Sequence, residues 1–148
     1  MKRIEIGLVV FAILSISLRI GQVVGSSFLT MVSFLIMSCF YYGFSFALFN
    51  GIKFREILRR QSYQNVTAIH IITSIIAGMG IATLLIGILY RILNFNGASE
   101  LIVSGIITLS IAIVITIWRF IKERHVVYKR IWQRTALVLG LGLLSLLI

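Results

Sequence analysis

Proline is missing altogether, cysteine occurs once, and only four acidic side chains stand among 148 residues. Without proline, helices are expected to run free of proline kinks, unlike the interrupted helices of many transporters. The lone Cys39 allows no intrachain disulfide and no cysteine metal cluster. Charged residues of both signs make up only 12% of the chain, too few to cover a water-facing surface. The isolated glutamates Glu5, Glu56, Glu100 and Glu123 form no carboxylate pair in the sequence. A Ser/His/Asp set, a glycine-rich phosphate loop and an H-E-x-x-H motif are also lacking, so enzyme chemistry is not expected. The two histidines, His70 and His125, lack metal-ligand spacing, and neither metal nor cofactor is expected.

What the sequence does contain is long apolar runs, with 59% hydrophobic residues and a mean hydropathy of +1.07. Runs near 20 residues match the hydrocarbon core of a bilayer, and no backbone polar group can stay unpaired there. The runs therefore predict helices; the short alternating segments of a membrane β-barrel are not seen. The expected fold is an all-α membrane protein forming one membrane domain over residues 1–148. It has four transmembrane helices near residues 4–24, 28–49, 68–93 and 101–120, plus a short C-terminal hydrophobic helix at 136–148. The tail fits either a short fifth span or a segment at the interface. The first run is expected to stay in the mature protein rather than act as a cleaved signal.

The net charge of +10 sits in short segments between the runs, so nucleic acid is not an expected partner. Lys2 and Arg3 precede the first run, and residues 50–67 and 121–135 form basic loops. By the positive-inside rule these place the N-terminus and both loops in the cytoplasm, in a multi-pass protein of the cell's inner (cytoplasmic) membrane. Arg55, Arg59 and Arg60, with Lys129, Arg130 and Arg134, are expected to face anionic headgroups. Trp118, Trp132, Tyr63 and Tyr128 read as interfacial anchors, and Tyr41 and Tyr42 as residues packed inside the bundle.

Two segments repeat at an offset of 72, the separation of Arg19 and Arg91. Ile16, Arg19, Ile20, Gly25, Ser27, Leu29 and Ser38 meet Ile88, Arg91, Ile92, Gly97, Ser99, Leu101 and Ser110 without a gap. The expected organisation is therefore two tandem, parallel-related hairpins, residues 4–49 and 68–120, turning at Gly25 and Gly97. Gly78, Gly80 and Gly87 are candidates for close helix contact.

The stretch Tyr90-Arg91-Ile92-Leu93-Asn94-Phe95-Asn96-Gly97-Ala98 resembles the hairpin turn of the bacterial gliding-motility GldL family. There an apolar helix ends in a basic residue, followed by an aromatic-bearing turn and Pro-Gly-Ala. The stretch Leu18-Arg19-Ile20-Gly21-Gln22-Val23-Val24-Gly25-Ser26 is a second, more diverged version. Asn96 and Val24 replace the family's proline. The family's second membrane helix carries a glutamate implicated in proton-driven work, whereas residues 107–111 and 35–39 contain no carboxylate. The resemblance implies a duplicated GldL-like hairpin fold.

Ionisable groups inside spans are functional candidates by default. Arg19 and Arg91 either snorkel to the outer interface or make an intramembrane charge contact, with Glu100 as the nearest acidic partner. His70 reads as an interfacial histidine, since no titratable group stands at i±3 or i±4 to receive a proton. The leading expectation is a non-catalytic scaffold or accessory subunit that packs with itself or with another membrane protein. The alternative is a small transporter or ion-translocating subunit using Arg19 and Arg91.

Overall fold

The computed structural model describes residues 1–64, 66–123 and 126–147. The apolar runs are helical: α1 (Lys2–Ile20), α2 (Ser26–Asn50), α3 (Ala68–Ile92), α4 (Ala98–Glu123) and α5 (Val126–Leu147). Two 3-10 turns, Phe54–Glu56 and Arg60–Tyr63, lie between α2 and α3, and no strand occurs among the described residues.

Gly25 and Gly97 adopt φ of +82° and +85°, while Gln22 and Asn94 adopt +53° and +56°. Left-handed backbone is costly for a residue with a Cβ and free for glycine, which explains Gly25 and Gly97. The same backbone hydrogen bonds close both turns. Gln22 N–H donates to Arg19 O and Val23 N–H to Leu18 O; Asn94 N–H donates to Arg91 O and Phe95 N–H to Tyr90 O. Each pair is related by 72 residues. A Cβ at Gly97 would meet open space, so Gly97→Ala probes conformation alone. It is expected to lower stability by about 1 kcal/mol, read as a lower unfolding midpoint in detergent; an unchanged midpoint would contradict the left-handed turn.

α1 packs on α2, α2 on α3, and α3 on α4, with α5 laid against α3 and α4. Lipid tails are as apolar as leucine, so helices in a bilayer associate through close contact and interhelical hydrogen bonds. In the second hairpin the contact is through glycine. A Cβ at Gly87 would lie 2.8 Å from Ile102 N, and one at Gly105 would lie 2.9 Å from Leu84 Cα. The positions 72 residues earlier are Ser15, Thr30, Ser33 and Ala12. There Ser15 Oγ and Ser33 Oγ share a hydrogen bond of 2.9 Å, and the Thr30 hydroxyl donates to Ser15 O at 3.3 Å. Between the hairpins Ser38 donates to Ala82 O at 3.1 Å, and Gly78 lies against Ser45 and the Tyr41 carbonyl. The core gathers Phe34, Phe49, Ile81, Leu84, Ile102, Leu109 and Ile131.

Two expectations are corrected. Three helices, α2, α3 and α4, are long and apolar enough to cross a membrane, rather than four plus a short one. α1 holds Lys2, Arg3, Glu5 and Arg19, and its uncharged stretch between Glu5 and Arg19 rises only about 20 Å at 1.5 Å per residue. The tail is not short: α5 has 22 residues and starts at Val126 instead of residue 136. Lys, Arg and Gln are good helix formers, so a basic segment without glycine or proline continues as helix. Of the basic loop expected at 121–135, residues 121–123 belong to α4 and 126–135 to α5. Arg124 and His125 lie outside the described residues.

Candidate functional site

A carboxylate inside a helical bundle needs donors, because the surroundings supply no water to solvate it. Glu5, near the start of α1, has two. The Tyr41 hydroxyl of α2 donates to its Oε1 at 2.6 Å, and Arg134 Nη2 of α5 donates to its Oε2 at 2.7 Å. The side chains of Glu5 and Arg134 are 12% and 22% exposed. The Arg134 guanidinium also lies 5.5 Å from the Phe49 ring centre, within cation–π range. This cluster ties the first helix to the last across 129 residues of sequence.

A second cluster forms around Glu123, where α4 ends and α5 begins. Arg119 donates to its Oε1 at 2.8 Å one helical turn away, and the Tyr128 hydroxyl donates to its Oε2 at 3.3 Å. His70 Nε2, from the start of α3, lies 3.6 Å from the same Oε2. The His70 and Tyr128 rings meet edge to face at 5.1 Å. Burial, and then the Glu123 carboxylate, push the Tyr128 hydroxyl above its ordinary pKa. His70 is buried, and its neighbouring carboxylate comes from another helix rather than from i±3 or i±4.

Arg19 donates to Ser27 at 2.5 Å and to the Ile92 carbonyl at 2.7 Å, so it clips the first turn to the end of α3. Arg91 is half-buried, Glu100 is exposed, and among the described residues no ion pair joins Glu100 to either arginine. The two arginines related by the offset of 72 thus have different surroundings. Gly25 and Gly97 sit in the turns.

Three further residues depart from expectation. Arg134 turns into the bundle instead of toward headgroups, because its segment is helical and that face meets α1 and α2. Tyr128 is fully buried and so is not an interfacial anchor. Tyr42 is 65% exposed, while Tyr41 is buried as expected. Neighbouring helical residues point about 100° apart, so depth along a span does not decide which one faces the core.

Glu5 was open to detection as a lone acid just inside an apolar run, a position that calls for a partner. The identity of that partner had no sequence signal. Chemically, both clusters are closed: each carboxylate is occupied by donors from its own chain. Among the described residues no three His, Cys, Asp or Glu side chains are grouped to hold a metal ion. Three helices long and apolar enough to span a bilayer point to a helical membrane protein. In comparisons with known proteins, no family model, no curated protein and no solved structure matches the chain.

Proposed function

We propose that this chain is a small non-catalytic integral membrane protein that serves as a scaffold or accessory subunit of a membrane assembly. The observation that carries this reading is the distribution of polar and apolar groups. Glu5 and Glu123 are engaged by Tyr41, Arg134, Arg119 and Tyr128 within the chain. The outward faces are apolar, with Ile6, Ile13 and Leu14 on α1 and Ile107, Val114 and Trp118 on α4 all exposed. Such faces suit lipid, a second copy or another membrane protein.

The two turns with shared backbone geometry and the paired crossings at Ser15/Ser33 and Gly87/Gly105 support a duplicated hairpin. Likeness to the gliding-motility GldL family rests on the turn stretch around Arg91 and Gly97. The end of the bundle bearing Lys53, Arg55, Arg59, Lys122 and Lys129 faces the cytoplasm, with the N-terminus on that side and the Gly25 and Gly97 turns opposite. The site is the inner (cytoplasmic) membrane of a bacterium.

Crosslinking and co-purification from native membranes are expected to recover a defined membrane partner or a second copy. Vesicles holding the purified protein are expected to pass no ions above empty vesicles. An ion flux abolished by Arg19→Leu would replace the scaffold reading with transport.

A further inference from the structure

A groove of about 450 Å³ opens between the end of α4 and the start of α5, lined by Thr116, Ile117, Phe120, Tyr128, Lys129 and Trp132. We infer that it is a binding site for one anionic phospholipid, with an acyl chain against Phe120, Ile117 and Trp132 and the phosphate at Lys129. The inference rests on the chain's lying in a bilayer and is independent of the scaffold role.

Its wall is aliphatic and aromatic, the surface an acyl chain wets. Trp132 is half exposed along it, in the manner of an aromatic ring at the headgroup level. Among the described lining residues the one charged side chain is the cation Lys129, which is exposed. The acidic group close by is Glu123, already bonded by Arg119 and Tyr128, so it leaves the cationic rim unopposed. Lys122 and Arg130 add positive charge nearby in sequence, with the Arg130 guanidinium held over Gly51. A zwitterionic lipid would place its own cation against this rim; an anionic lipid meets it with a net charge. Basic pockets between helices at the cytoplasmic membrane face recognise such headgroups.

The chain has two tryptophans, and Trp118 is exposed outside the groove lining. Trp118→Phe therefore leaves Trp132 as a reporter in the groove, and Trp132→Phe leaves Trp118 as a reporter of bulk lipid. Each is placed in phosphatidylcholine vesicles doped with a minor fraction of brominated phosphatidylglycerol or brominated phosphatidylcholine. Trp132 is expected to be quenched as though the brominated anionic lipid were enriched about fivefold over bulk, the worth of one lysine at a lipid surface. Lys129→Gln should remove the enrichment, and Trp118 should show none. Equal quenching of Trp132 by the two brominated lipids overturns the site, as does an unquenched Trp132 beside a quenched Trp118, which would mean that protein covers the groove. If neither tryptophan is quenched by either lipid, the bilayer placement itself falls.

Discussion

Glu5→Leu is expected to destabilise the protein by about 3 kcal/mol, the lower end for orphaning a charge in a buried pair, because Arg134 keeps 22% exposure. The loss comes from what remains: a guanidinium facing Tyr41 and the Phe49 ring with no anion. Arg134→Met alone should cost a similar amount by stranding the Glu5 carboxylate. The double variant Glu5→Leu/Arg134→Met is expected to lose far less than the sum of the two, keeping about 1 kcal/mol for the Tyr41 hydroxyl left without its acceptor, since apolar replacement of a buried pair is often neutral. Unfolding in mixed detergent micelles measures all three. Simple additivity of the two single losses would show that the groups do not interact.

Gly105→Ala is expected to cost about 2 kcal/mol, in the range for overpacking a close contact. The added carbon would meet the Leu84 backbone, which cannot rotate away as a side-chain tip could, so α4 must move off α3. Ser33→Ala, at the position 72 residues earlier, removes one interhelical hydrogen bond to Ser15 and should cost only about 0.6 kcal/mol. The contrast tests whether the two hairpins use different chemistry at the same crossing. Equal losses at the two positions would count against it.

The turns were legible in the sequence because their determinants are local. A basic residue and a glycine six positions further on recur in both copies, and glycine is what the left-handed backbone at Gly25 and Gly97 requires. The start of α3 at Ala68 was legible for the same reason, an apolar run leaving a polar segment. The start of α5 was not, because Lys129, Arg130 and Arg134 mark a loop by charge while favouring helix by conformation. α1 illustrates a different confusion. Its apolar residues form a run, but Glu5 and Arg19 close that run early from both ends. The candidate site was the least legible part. Glu5 meets a residue 129 positions away, and His70 approaches Glu123 from a different helix, so no spacing in the sequence announces either contact. The exposure of Tyr42 beside the buried Tyr41 shows the same limit within one helix, where depth is readable and azimuth is not.

The tie between Glu5 and Arg134 also sets an order of events during synthesis. The carboxylate leaves the ribosome 129 residues ahead of its guanidinium. Once α2 is made, and until α5 is, Glu5 has the Tyr41 hydroxyl in place of the guanidinium. Each hairpin can close on its own local turn, but the first helix gains its counter-charge only when α5 docks. A nascent chain halted before Arg134 therefore carries an unneutralised acid in its first helix, a chemical mark by which an unfinished molecule differs from a finished one.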